Sequence, residues 1–312
     1  MKKYILGRLL QLIPIILGIT FLTFALVQMS SKDAVDALYE NTGSSASKVA
    51  EQKARERLGL DQPFAVQYVN WLTGMLTGDM GTSFVSGDEV LTTFMSKLPN
   101  TIWLTAVVIG MTVLLSVPLG ILAAIRRNKF TDYMIRFFSF IGNSLPGFFV
   151  ALLLIYFFSL QLGWFSVVGG SGGKNIVLPA ATLAIAMSAK YTRQVRTAVL
   201  EELSKGYVTG ASARGVREKT ILAASILKSV MLKIVTLLSL SIGSLLGGTA
   251  IVESIFMWDG VGKLAVDSIT MRDYPMILAY VVWMALIYVV INLITDILYH
   301  YLDPRVRMGG AK

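Results

Sequence analysis

The chain has 312 residues, no cysteine, one histidine and few charges, which make up 15% of it. Without cysteine there are no disulfides and no thiolate metal sites. His300 stands alone at the end of an apolar run, so it has no partner for metal ligation, and no catalytic constellation assembles around it. Charge is scarce against the roughly 25% usual in soluble domains. Six blocks contain no Asp, Glu, Lys or Arg at all: Leu9–Met29, Thr101–Ile125, Phe137–Trp164, Ile176–Ala189, Ile234–Val252 and Ile277–Thr295.

A helix needs about 20 apolar residues to cross a bilayer. Five of the blocks reach that length, and the fourth does so when extended through Lys190 and Tyr191. Buried helices of a soluble core would show polar faces, which these blocks lack. The expectation is an all-α integral membrane protein with about six transmembrane helices. The first run, MKKYILGRLLQLIPIILGITFLTFALVQ, is too long for a signal-peptide core and has no A-x-A-like site after it, so it reads as a retained first helix.

The formal charge of +9 follows membrane topology rather than a nucleic-acid patch. With the N-terminus in the cytoplasm and six crossings, the cytoplasmic side receives Lys2, Lys3 and Arg8, then Arg126, Arg127, Lys129 and Arg136. It also receives the basic residues between Lys190 and Lys233, and Arg305, Arg307 and Lys312. This is the positive-inside pattern, and it places both termini in the cytoplasm. The expected organisation is a transmembrane helix over 1–30, an extracytoplasmic segment over 31–100, a five-helix core over 101–300 and a cytoplasmic tail over 301–312. A loop at about 195–230 interrupts the core.

Within the outer segment, SKVAEQKARERLGL has helical patterning and Asp61-Gln62-Pro63 marks a turn. YVNWLTGMLTGDMGTSF suits the membrane surface through Tyr68 and Trp71. Asn143-Ser144-Leu145-Pro146-Gly147 is a polar break at mid-membrane depth: either a packing kink or a kink lining a pathway. The Gly-Gly-Ser-Gly-Gly-Lys at 169–174 is not a Walker A motif, because Val168 and Asn175 stand where Gly and Ser or Thr are required. Small residues stud the fifth crossing, which suits close helix packing. Gly260 and Gly262 mark a turn before a short amphipathic helix. The pathway candidates are Asn143, Ser144, Pro146, Met187, Ser241, Ser244 and Glu253. Phe148 and Phe149 read as core.

The most distinctive stretch is TGASARGVREKTILAASILKS, residues 209–229. Val199, Leu203, Val208 and Ala211 share one helical face, and Ile221, Leu222 and Ile226 share another beyond a break at Gly215. Gly210 and Gly215 would each cost roughly 1 kcal/mol inside an ordinary helix, which suggests tight packing against small side chains. The segment reads either as a pair of short helices that docks into a partner's groove or as a solvated basic loop.

This stretch resembles the EAA loop of ATP-binding-cassette (ABC) importer permeases, E-A-A-x-x-x-G followed by I-x-L-P. Thr209, Gly210 and Ala211 occupy the EAA positions, Arg214 precedes the glycine at Gly215, and Leu227 matches the leucine. The family's glutamate is absent, and so is its proline, where Lys228-Ser229 stand. LGLDQPFAVQYVNWLTGMLTGDMGTSF, ESIFMWDGVGKLAVDSITMRDYPMI and LDPRVR resemble first-subunit permeases of dipeptide, oligopeptide and nickel systems. The resemblance implies a type I importer permease fold and a place in the bacterial cell membrane. It also implies a homologous second permease as heterodimer partner, two cytoplasmic ATP-binding subunits and an extracytoplasmic substrate-binding protein. The EAA loop would supply coupling helices seated on the ATPase. ATP-Mg would be used by those partner subunits, and this chain would bind no cofactor and catalyse nothing. The cargo would be a peptide or nickel, free or chelated. The Gly-Gly-Thr run before Glu253 and the closing NLITDILYHYLDPRVR lean slightly towards nickel members. The rivals are an ATP-independent secondary transporter or channel, which is disfavoured because no carboxylate or histidine lies inside the apolar blocks, and a membrane-embedded enzyme.

Overall fold

The computed structural model describes residues 2–29, 35, 52, 53, 55, 56, 60–166 and 173–302. The helical patterning expected over SKVAEQKARERLGL, most of the 169–174 loop and all but Leu302 of LDPRVR lie outside these residues. Among the described residues the chain is nearly all helical, with one isolated β-bridge between Thr82 and Glu89. It forms two compact units, Met1–Thr101 with Asp259–Leu293 and Ile102–Trp258 with Ile294–Lys312.

In the first unit, α1 (Lys2–Gln28) carries the short α2 (Phe64–Thr77), which follows the turn at Asp61-Gln62-Pro63. Phe24 lies 5.4 to 5.6 Å, ring centre to ring centre, from Phe64, Tyr68 and Trp71, and the Thr20 and Tyr68 hydroxyls are 2.9 Å apart. Helix α2 stops because Gly78 takes the left-handed conformation (φ +88°), which lets Gly78 and Asp79 bond back to Met75 and Gly74. Beyond it, Asp273 is buried and accepts hydrogen bonds from the Ser83 hydroxyl (2.5 Å) and the Phe84 amide (3.1 Å). This anchors the 79–89 turn to the junction before the last helix. Gly260 opens the expected short helix (Val261–Met271), and the Val261 amide donates to the Thr101 hydroxyl.

The second unit is built around α6. In chain order its helices are α3 (Val90–Ile125, whose first turns belong to the first unit), α4 (Phe130–Ser144) and α5 (Gly147–Leu154), which continues as a π-helical turn over Ile155–Gln161. Then come α6 (Val177–Leu203), α7 (Gly206–Ala213), α8 (Glu218–Ile221), a π-helical turn over Leu222–Ile226, and α9 (Leu227–Ile255). Helices α10 (Val261–Met271) and α11 (Tyr274–Leu302) complete the chain. One cluster joins Leu104 and Val108 of α3 to Ala180 and Ala184 of α6 and Leu245 of α9. Another joins Ala151 and Ile155 to Leu178, Val252 and Phe256. A side chain on Gly120 would put its Cβ 2.5 Å from that of Val195, so α3 and α6 meet there backbone to side chain.

All six apolar blocks fall in helices, but not as six uniform spans. By length and composition, Val90–Ile125, Lys219–Gly247 and Tyr274–Thr295 suffice to cross a membrane, and α4 with α5 adds a fourth span if the pair counts as one. The apolar part of α1 is short, and the second half of α6 carries Lys190, Arg193, Arg196, Glu201 and Glu202. The polar break is more than a kink. Leu145, ahead of Pro146, is forced into an extended conformation (ψ 132°), and α5 leaves α4 at 102°. Phe137, Phe138, Phe140, Phe148 and Phe149 remain exposed around this bend, as suits a lipid-facing surface and not the core expected for Phe148 and Phe149.

Gly120→Ala should overpack the α3–α6 contact and cost about 1–3 kcal/mol. Gly110→Ala has open space around the added methyl and should be neutral or stabilising by up to about 1 kcal/mol. In detergent, Gly120→Ala should therefore melt below the wild type and Gly110→Ala should not.

Candidate functional site

The 195–230 segment folds onto the end of α6 as a compact junction. Helix α6 ends at Leu203, Lys205 turns the chain in an extended conformation, and the two-turn α7 follows. Val208 is buried, and Ala211 packs beside it, in a cluster with Val199 of α6, Ile221 of α8 and Ile226 and Val230 beyond; Leu203 and Leu222 flank them. Both faces seen in the amino-acid pattern thus meet in one core. Thr209, Gly210, Ser212, Ala213 and Arg214 are exposed.

The end of α7 explains Gly215. The Gly215 amide donates to the Ser212 carbonyl (3.0 Å) and the Val216 amide to the Ala211 carbonyl (3.2 Å), a Schellman closure with Gly215 at φ +78°. Its glycine serves backbone conformation. Within this chain neither glycine is closely packed, because a Cβ added to Gly210 or Gly215 would meet nothing within 4 Å. Leu227 is half-buried where the π-helical turn over Leu222–Ile226 passes into α9. That turn adds one residue to the helical register, a feature frequent at functional sites.

Polar side chains brace the junction. Glu202 is buried at the end of α6 and accepts from Lys205 and from the Tyr207 hydroxyl (2.9 Å). Burial works against its charge, but the bonds from Lys205 and Tyr207 outweigh it and hold the carboxyl below the usual range. Burial and the neighbouring carboxylate together push the Tyr207 hydroxyl up. On another side of α6, Asp132 is fully buried and receives both Nε and Nη2 of Arg196 at 2.8 Å. Its Oδ2 also caps the Asn128 amide at 3.0 Å, in a turn where Asn128 has φ +60°. One carboxylate thus fixes the start of α4 to the last third of α6. One turn before Arg196, the Tyr191 hydroxyl reaches the Leu237 carbonyl (2.7 Å) and the Ser241 hydroxyl (2.5 Å) on α9.

The pathway candidates do not gather in one place. Asn143, Ser144 and Pro146 are exposed at the α4–α5 break, with the Ser144 hydroxyl turned back to the Phe140 carbonyl. Met187 is half-buried against two clusters. Ser241 is bound to Tyr191, and Glu253 is fully buried near the end of α9. The side chain of Ser244 lies outside the described residues. Sequence reading missed Asp132, Arg196, Tyr191 and Glu202. Two of them carry a signal: Asp132 is a lone acid in a basic turn, and Glu202 is an acid spaced for a helical pair with Lys205.

Because its carboxyl is held low, Glu202 stabilises the junction fully above the unfolded value, about 4.3. That contribution is lost as pH falls through the lower folded value. Glu202→Gln should cost about 1 kcal/mol at neutral pH, allowing for the exposure of Lys205. Its melting temperature should approach that of the wild type as the pH is lowered below 4.

Residues 116–308 match the family described as binding-protein-dependent transport system inner membrane component, and residues 1–105 match the corresponding N-terminal family. The oligopeptide transport system permease protein AppB of Bacillus subtilis is 40% identical, over 98% of this chain and 99% of that one. The glutathione transport system permease protein GsiC of Salmonella typhimurium is 37% identical over the same shares. Among solved structures, the inward-facing MetNI methionine ABC transporter superposes with a TM-score of 0.56 at 16% identity, covering 68% of this chain and 96% of that one. An amino acid ABC transporter gives 0.51 at 21% identity, covering 69% and 94%; these two likenesses show the fold. The chain therefore belongs to the binding-protein-dependent transport system inner membrane components, the permease subunits of ABC importers.

Proposed function

We propose that this chain pairs with a homologous second permease to enclose the pathway of a peptide importer, and that α7 is its coupling helix. Two cytoplasmic ATPase subunits would use ATP-Mg, α7 would seat in a cleft on the ATPase, and an extracytoplasmic binding protein would deliver the cargo. This chain itself would bind no nucleotide. Both termini and the 190–233 segment face the cytoplasm in this reading, as the distribution of basic residues suggests.

The observation that carries the proposal is the shape of α7. Its inner side is held by the Val208 cluster and the Glu202–Lys205–Tyr207 bonds, so it moves with α6. Its outer side presents Thr209, Gly210, Ser212 and Ala213, small residues with open space beyond Gly210. A rigid, shallow face of this kind suits insertion into a cleft. ATP binding would favour whichever permease conformation fits the closed ATPase pair, shifting a two-state equilibrium by its differential affinity. Relatives named for an oligopeptide and for glutathione favour a peptide over nickel, free or chelated, as cargo.

Two variants of the tagged chain, purified from its native membrane, test the docking face. Gly215→Arg also strains a left-handed residue, by about 1–2 kcal/mol. Gly210→Arg adds bulk where there is room for it. Wild type should bring down the second permease and the ATPases, and Gly210→Arg should keep the permease while losing the ATPases. Retention of the ATPases by Gly210→Arg would sink the assignment of this face. Because the natural chain has no cysteine, Arg214→Cys offers a clean topology probe. A membrane-impermeant thiol reagent should label it only from the cytoplasmic side.

A further inference from the structure

A pocket of about 600 Å³ lies between α6 and α9. Lys190, Arg193, Gln194, Thr197 and Glu201 line one wall at the spacing of a single helix face, and Lys233, Ile234 and Leu237 line the other. This face of α6 differs from the one that presents Arg196 to Asp132. Glu201 pairs with Lys233 at 2.8 Å. Among the described residues no carboxylate pairs with Lys190 or Arg193, which leaves the pocket positive. The Gln194 Oε1 is buried there without a hydrogen-bond donor. The pocket therefore offers two free cations, an acceptor that lacks a donor, and an apolar strip of Ala198, Ile234 and Leu237.

That set of groups matches a ligand with an anionic oxygen group, a hydroxyl donor and an apolar body. Lys190 closes the apolar block of α6, and Lys233 directly precedes that of α9. In the proposed orientation this is the depth of the inner-leaflet headgroups, where basic pockets between helices take anionic lipids. We propose that the pocket binds the headgroup of a phosphatidylglycerol-type lipid, with the phosphate on Lys190 and Arg193 and a glycerol hydroxyl donating to Gln194. The acyl chain would run along Ile234 and Leu237. An occupant here would touch both helices that flank the coupling segment, so the inner-leaflet lipid would bear on how α6 and α9 move apart. The inference rests on the cytoplasmic placement of this segment.

The test uses the complete complex in nanodiscs of phosphatidylcholine with and without phosphatidylglycerol, with bound lipid read by native mass spectrometry. Wild type should retain phosphatidylglycerol over phosphatidylcholine. Each of Lys190→Gln and Arg193→Gln should weaken retention on the order of fivefold. Lys190→Arg should keep it, and Gln194→Leu, which removes the acceptor for the glycerol hydroxyl, should weaken it. Soluble glycerol phosphate, added as competitor, separates a free anion from a lipid. Equal retention by wild type and the Gln variants, displacement by soluble glycerol phosphate at comparable affinity, or a cross-link from Arg193→Cys to the second permease with no lipid retained would each overturn the proposal. ATPase co-purification is read on the same samples. It reports on the coupling assignment, so a wild-type complex that holds its ATPases but no phosphatidylglycerol condemns the pocket alone, and retention of the lipid with ATPases kept by Gly210→Arg condemns the docking face alone.

Discussion

At Gly120 the absence of a side chain lets α3 approach α6 until Val195 and the Thr192 carbonyl fill the space that a Cβ would take. Much else in the second unit depends on where that contact holds α6. The helix is engaged along its length: Arg196 turns to Asp132 on α4, Tyr191 turns to Leu237 and Ser241 on α9, and Ala180 and Ala184 meet Leu104 and Val108 on α3. Small residues at these crossings let polar groups reach one another directly. Gly142 repeats the device against Ala189, where an added Cβ would sit at 3.1 Å. Without a hydrophobic drive between helices in lipid, such close approach and the hydrogen bonds it permits are what can hold them together.

The amino-acid sequence made the helices legible and left the joints between them largely unreadable. Runs without charge announce themselves by composition, and both faces of the 199–226 segment follow from 3.6-residue spacing. They meet in one cluster around Val208 and Ile226. The joints depend on pairings across long separations that no local pattern encodes. Asp132 finds Arg196 across 64 residues, and Ser83 finds Asp273 across 190. Pro146 signals an interruption, but not that the chain bends there by 102°. Gly215 shows a different limit. A glycine required for a left-handed turn and one required for close packing look identical in a sequence, and here the turn accounts for it. Polarity at depth is what singles out most of the pathway candidates in the sequence. Ser241 shows why that criterion is weak, since its hydroxyl is engaged in holding α6 to α9.

The buried Asp132–Arg196 pair bears directly on how a push at α7 would travel. Ion pairs of this kind add little net stability over a well-packed apolar pair, yet breaking one side costs roughly 3–5 kcal/mol. Such a pair therefore acts less as glue than as a constraint on geometry, because the bidentate fork tolerates little sliding or rotation. With α4 clamped to α6 near its end, and α7 braced to the same end through Glu202, the three would shift together as one body. The nearest place for that motion to be absorbed is the helix break at Leu145–Pro146, where the backbone hydrogen-bond ladder is already interrupted. Such a push would need a rigid lever and a yielding joint in sequence, and the Asp132 clamp and the Leu145–Pro146 break lie at opposite ends of α4.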